Sequence, residues 1–278
     1  MKRMILYGLL CLLSGLTFSC KKKASKGGWD DTLHSGFIQI ACDANFKTLM
    51  NAEIQVFEAH NPQAVIVPVY TTEKEAIQLL VEDSVRLALA TRDLTRKERA
   101  TMLERNMDAK KHLIAFDGVA LIINKQNTDS AIGLAELKKI LTGEITEWSQ
   151  LNPDSPYGTI RVIFDNKESG ILRYVADSLL QGADHSPNLF ALENCAEVIE
   201  KVIEMPNTIG LIGANVLSDE NSTDYLNCKD KISLMSINGY LPFAGDIVQE
   251  NYPLWRPVYV LLSDPRSGLS SGLSIFLA

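Results

Sequence analysis

Phe37-Ile38-Gln39-Ile40-Ala41, then Asp43-Ala44-Asn45, then Phe46, Leu49, Met50, Ile54 and Phe57 form the stretch on which the fold turns. The first five residues read as a short strand. The Asp-Ala-Asn triplet supplies helix-capping residues, and the five apolar positions after it fall on one helical face. Asn61-Pro62 stops that helix, and Ala64 to Tyr70 is a β-branched strand. Strand, helix and strand in this order predict an α/β sheet architecture.

The same alternation continues. Thr72-Glu73-Lys74-Glu75 and Thr95-Arg96-Lys97-Glu98 have the spacing of capping boxes, each starting a helix. Between them Arg86 to Ala90 reads as a strand. Phe116 to Asn124 is a long apolar strand, Leu134 to Leu141 a helix, and Ile160 to Phe164 a strand. Ser169-Gly170 precedes a helix through Leu180. Ala196 to Glu204 is a helix, Ile209 to Ile212 a strand, and the chain ends in an amphipathic helix at Ser274 to Ala278. No internal repeat interrupts the pattern.

The front of the chain sets the compartment. Lys2 and Arg3 precede an apolar run, Met4 to Phe18, that is short for a bilayer span, so residues 1–19 are expected to be a secretory signal. Leu16-Thr17-Phe18-Ser19-Cys20 places a small residue before a cysteine and resembles a bacterial lipoprotein cleavage site. Leu16 lies one position further from the cysteine than the usual pattern has it. Cys20 is the expected lipidation site; a simple signal peptide or an uncleaved anchor is the alternative. Residues 20–35 would be the anchor and tether, with Lys21-Lys22-Lys23 suited to anionic headgroups and Asp30-Asp31 solvated. Loss of Lys2 and Arg3 would leave 25 basic against 34 acidic residues, a net charge of −9.

Composition excludes several function classes. At 46% hydrophobic and 22% charged residues the chain is an ordinary globular protein with material for one large core or two smaller ones. The acidic balance and the lack of basic stretches interleaved with aromatics argue against nucleic acid. They do not argue against a small anion, which local dipoles and one arginine can hold. Cys42, Cys195 and Cys228 have no CxxC spacing and no zinc pattern; one disulfide or buried thiols both fit. His34, His60, His112 and His185 are scattered, and no HExxH, GxSxG or GxxxxGK[ST] occurs. Gly210-to-Gly213 and Gly268-to-Gly272 are too loose for a dinucleotide fingerprint. No enzyme activity, metal or cofactor is expected.

Asp43-Ala44-Asn45-Phe46, Ala90-Thr91-Arg92-Asp93-Leu94-Thr95 and Tyr252-Pro253-Leu254-Trp255-Arg256-Pro257, taken in this order, resemble motifs of the PstS-like phosphate-binding proteins that feed ABC importers. Asp43-Ala44-Asn45-Phe46 is similar to the opening of that family. Ala90-Thr91-Arg92-Asp93-Leu94-Thr95 resembles its strand-end ligand loop, and Phe116 to Asn124 the strand that leaves its first lobe. Leu137 to Trp148, Asp165 to Gly170 and Pro206 to Leu211 are similar to later family segments, and Tyr252-Pro253-Leu254-Trp255-Arg256-Pro257 to its late strand. The resemblance implies a two-lobed periplasmic-binding-protein fold (type II) with hinge strands and a ligand cleft. Lobe one would be 36–116 and 245–278, and lobe two 117–244. Trp148 and Trp255 are expected near lobe junctions, or in the core.

The resemblance also implies the contacts. Backbone N–H groups near Ala44 and Asn45 would face the cleft. The hydroxyls of Thr71 and Thr72, the Thr91 and Arg92 donors, and Ser169 with the Gly170 N–H would grip ligand oxygens. Each has a plainer alternative: Thr72 and Ser169 as helix caps, Arg92 as an ion pair with Asp93 or Glu98. Two positions depart from the family. Asp165 stands where many members place the cleft arginine, and Ile171 replaces the usual threonine. Three readings stay open. Asp165 accepts a hydrogen bond from protonated phosphate while Arg92 carries the charge; or it pairs with Arg92 or Lys167 in a pocket for another ligand; or binding is lost. The expected function is a membrane-anchored, monomeric lipoprotein of the periplasm or cell surface. It captures phosphate or a related oxyanion and delivers it to an ABC permease. The alternative is a non-transport surface lipoprotein of the same fold, used in sensing, adhesion or assembly.

Overall fold

A computed structural model describes residues 30–183, 186–217, 226, 228–264 and 266–278. The signal at 1–19 and the anchor at Cys20 lie outside these residues, as does His185. Among the described residues no helix is long and apolar enough to cross a membrane.

The chain alternates strands and helices. The first half contains β1 (Ser35–Asp43), α1 (Lys47–His60), β2 (Gln63–Thr71), α2 (Glu73–Val81), β3 (Leu87–Ala90) and α3 (Arg96–Leu103). Then come β4 (Lys110–Asn124), β5 (Ala131–Ile132), α4 (Leu134–Thr142), β6 (Arg161–Phe164) and α5 (Gly170–Val175), which runs into a π-helical turn, Ala176–Leu180. The remainder is β7 (Leu189–Ala191), α6 (Cys195–Glu204), β8 (Thr208–Gly213), β9 (Ile232–Ile237), α7 (Ala244–Val248), β10 (Trp255–Leu262) and α8 (Leu269–Leu277). The expected α/β class is the one observed. β5, β7 and β9 carry no sequence signal of their own, being short or partly exposed.

The strands run in the order β2-β1-β3-β10-β4-β8-β6-β7, with β9 pairing β4 and β5. β4 joins the two halves. Its first part, Lys110 to Gly118, is antiparallel to β10; its second, Val119 to Asn124, lies between β8 and β9. The return path is Tyr252 to Trp255, where the Val119 amide donates to the Leu254 carbonyl at 2.8 Å. Trp255 packs edge-on against Phe116 at this crossing, whereas Trp148 is fully buried among the apolar residues of the second half. Pro68 is tolerated in β2 because that strand forms the sheet edge.

Each half has its own core on both sheet faces. In β3 the alternation is strict: Leu87 and Leu89 pack with Phe46, Met50 and Val260, while Ala88 and Ala90 face Ile77, Leu80 and Met102. In the second half α6 presses so closely on β8 that a Cβ on Gly210 would lie 2.8 Å from Val202 Cγ2 and 2.9 Å from Ile122 Cγ1.

One expectation is corrected here. Asp31, placed in a solvated tether, belongs to the fold: its Oδ1 accepts the Leu269 amide at 2.8 Å and caps α8. Leu33 runs against the same helix, where a side chain at Gly272 would collide with the Leu33 carbonyl.

Candidate functional site

β1, β2 and β3 end at Asp43, Thr71 and Ala90, and β6 of the other half ends at Phe164. The loops beyond these ends face one another. This is where an open α/β sheet binds ligands, outside the carboxyl ends of its strands. Thr72, Thr95 and Ser169 cap their helices as their spacing predicts, accepting from Glu75, Glu98 and Leu172 amides. Thr95 and Glu98 complete a reciprocal capping box.

From the first half, Asp43 turns its Oδ1 to both the backbone and side-chain nitrogens of Asn45 at 3.1 Å. The Asn45 amide then bridges to Asp165 Oδ2 across the crevice at 2.9 Å. Thus Asn45 acts through its side chain, and its backbone N–H is already taken. Ala44 is exposed on the intervening turn. Thr71 donates its hydroxyl to Glu75 rather than into the crevice. Thr91 sits at the centre. Its amide and hydroxyl both donate to Glu73 Oε1, at 2.7 and 2.5 Å.

Arg92 lines the crevice, but its fork is committed to Glu98 through two bonds of 2.8 Å. The ion pair with Glu98 that the sequence allows as the plainer alternative is present. The hydrogen bonds to Glu98 raise the Arg92 pKa. Burial opposes ionisation of Glu98, yet Arg92 and the Thr95 donors outweigh it and hold that carboxyl at about 2.

Two arginines that the motifs did not single out as contacts organise the site. Arg173, three residues after Gly170 on α5, donates Nε to Glu73 Oε2 at 2.6 Å and Nη2 to Thr91 Oγ1 at 2.8 Å. It reaches from one half to the other. Arg256, in the run read only as a late strand, is fully buried and donates Nε and Nη2 to Asp117 Oδ2 at 3.0 and 2.8 Å. Its guanidinium lies 5.5 Å from the Phe46 ring centre. The usable signal for Arg173 was its place one turn into the helix after Ser169-Gly170, on the face that returns to the crevice.

Electrostatically the crevice holds four buried carboxylates, Asp43, Glu73, Asp117 and Asp165, against these two guanidiniums. Glu73 and Asp117 are paired. Asp43 and Asp165 share only the Asn45 amide in that bridge, and Asp43 Oδ2 and Asp165 Oδ1 find no hydrogen-bond partner among the described residues. Burial pushes Asp43 up to about 6, against the pull of Arg256 and the Asn45 amide. Burial likewise raises Asp165, opposed by Ser169, Asn45 and Arg256. For Glu73, burial is outweighed by Arg173 and the two Thr91 donors, which hold it below the ordinary carboxylate range.

Gly170 lets the halves approach. A Cβ there would stand 2.7 Å from Asp43 Oδ2 and 3.1 Å from Glu73 Cδ. Next to this contact is a cavity of about 280 Å³ bordered by Glu73, Arg92, Ser169 and Arg173, with Lys74 and Glu168 forming an ion pair across the mouth. Among the described residues no cluster of His, Cys, Asp and Glu is arranged to hold a metal ion.

Comparison with known proteins agrees with this architecture. Residues 25–278 match the family described as the PBP superfamily domain. The chain is 24% identical over 271 residues to the phosphate-binding protein PstS of Bacillus subtilis (strain 168), covering 96% of this chain and 83% of that one. A Clostridium perfringens protein solved with bound phosphate superposes with a TM-score of 0.73 at 21% identity, over 87% of this chain and 93% of the other. An ABC-type phosphate transport receptor from Vibrio cholerae gives 0.66 at 19% identity, over 86% and 93%.

Proposed function

Since this chain belongs to the PBP superfamily, as its match over residues 25–278 establishes, we propose that it is an extracytoplasmic solute-binding lipoprotein. It captures phosphate or a related small oxyanion between two lobes and delivers it to an ABC permease. The lobes are 36–116 with 245–278, and 117–244, closing about the β4 and Tyr252–Trp255 crossings as a hinge. Cys20 carries the anchor.

The observation that carries this reading is the donor set around Thr91. A backbone amide, a hydroxyl and a guanidinium converge on the Glu73 carboxylate within 2.5–2.7 Å. Such donors suit an oxyanion of any kind. The names of the relatives specify phosphate. The unpartnered Asp43 and Asp165 oxygens support the same choice. A protonated phosphate offers O–H groups to these acceptors. Sulfate is fully ionised at neutral pH, has no proton to give and meets carboxylate repulsion. The Asp165 departure is thus read as an acceptor for ligand protons, with Arg173 in place of Arg92 as the cation.

The test is calorimetric titration of the chain from residue 30 onward with phosphate and then sulfate. Saturable phosphate binding without sulfate binding is expected. No heat with either, from a folded sample, would refute oxyanion capture. It would favour the non-transport reading, in sensing, adhesion or assembly, for which the surplus of buried carboxylates speaks.

A further inference from the structure

Glu73 is 1% exposed, and both of its carboxylate oxygens are engaged by donors from opposite sides of the crevice. Thr91 N–H and Oγ1 come from the end of β3, and the Arg173 guanidinium from α5 of the other half. A carboxylate is itself a planar oxyanion of charge −1. Its position at the centre of this donor set is the position that an incoming oxyanion needs. We infer that Glu73 is an internal ligand of the crevice: its carboxylate occupies the oxyanion seat, latches the two halves together and must swing out before an external anion binds.

This rests on the reading of the crevice as an oxyanion site and adds the residue that sets its affinity. Three features separate a displaceable latch from a purely structural ion pair. First, Glu73 is the first residue of α2, so its side chain can leave the seat by rotamer change without unwinding the helix. Second, the cavity of about 280 Å³ is bordered by both Glu73 and Arg173, so an anion can reach the guanidinium, and the carboxylate has somewhere to go. Third, Gly170 leaves no side chain between the Glu73 carboxyl and α5; the built Cβ would sit 3.1 Å from Glu73 Cδ. The halves therefore close on Glu73 itself. The consequence follows from mass action: the apparent affinity for any external anion is the intrinsic affinity multiplied by the share of molecules with Glu73 out of the seat. It also acts against every anion alike, which separates affinity, set by Glu73, from selectivity, set by Asp43 and Asp165.

The experiment is phosphate and sulfate titration of the chain from residue 30 onward, as wild type and as Glu73→Gln, with thermal melting of each to verify folding. The neutral amide cannot match the guanidinium, so phosphate affinity is expected to rise at least tenfold. In parallel, small-angle scattering of the ligand-free proteins should give a larger radius of gyration for Glu73→Gln than for wild type, with phosphate restoring the smaller value. Glu73→Asp keeps the charge but retracts it by one methylene; it should bind more tightly than wild type and serves if the glutamine variant does not fold. Wild-type binding that is unchanged or weakened in the variants would overturn the latch while leaving oxyanion capture intact. Absence of binding in every form would overturn both.

Discussion

Removing the Asp117 carboxylate should be among the most damaging single changes in the molecule. Arg256 is 0% exposed and Asp117 4% exposed, and two of the guanidinium nitrogens donate to one Asp117 oxygen at 3.0 and 2.8 Å. In Asp117→Ala the cation stays buried without its counter-ion, and the Asn215 amide loses its acceptor. Breaking a buried pair on one side costs about 3–5 kcal/mol. For a folded unit of this size that corresponds to a fall in Tm of roughly 6–20 °C. The assay is calorimetric melting at neutral pH, with denaturant unfolding as a second measure. A double variant, Asp117→Leu with Arg256→Met, removes both charges and should recover most of the loss, because well-packed apolar replacements of a buried pair are often neutral. A loss below about 1 kcal/mol in Asp117→Ala, or a double variant no better than the single, would refute the claim that this pair bears its charge in a dry site at the crossing between halves.

Five further outcomes can be checked. Asp43 is raised from 3.8 to about 6, so its protonated form is favoured by folding. The stability it contributes is fully present below pH 4 and is lost as pH rises through 6, about 3 kcal/mol in all. Asp43→Asn should therefore be more stable than wild type at pH 7 and flatten the slope between those values, read from melting curves across pH. Arg173→Gln should weaken phosphate binding roughly ten- to a hundredfold, the worth of a charge-assisted bond. Arg92→Gln should leave affinity within a few-fold and lower Tm instead; equal effects on affinity would show that the two arginines have been assigned wrongly. Gly210→Ala forces a methyl to within 2.8–2.9 Å of Val202, Ile122 and Val198. It should cost roughly 1–3 kcal/mol in denaturant unfolding, whereas a neutral result would mean that α6 can lift off β8. Finally, the full chain should partition with membranes and Cys20→Ser should not, as read by cell fractionation with lipid labelling.

The features legible in the chain without its fold are local. Alternating short apolar runs and amphipathic stretches specified the α/β class, because period 2 and period 3.6 are written in neighbouring residues. Capping residues at Thr72, Thr95 and Ser169 marked helix starts correctly, because a cap reads only the next three amides. These starts lie at strand ends, so the loops carrying Asn45, Thr91 and Ser169 are legible as strand-to-helix turns from local pattern alone.

Which side chains those loops turn toward depends on how the two halves pack. The motifs single out Arg92 as the cation and pass over Arg173. Glu98, only six residues away and held by its own capping box, captures Arg92. Arg173 meets its partner, Glu73, a hundred residues distant, only when the halves dock. The bonds Asn45–Asp165 and Arg256–Asp117 span 120 and 139 residues. Asp43 is buried where α5 approaches it at Gly170, and that burial raises its pKa. Propensity, spacing and capping act over a single turn or strand. Desolvation and ion pairing depend on what the rest of the chain brings to the same point, and no local pattern encodes that.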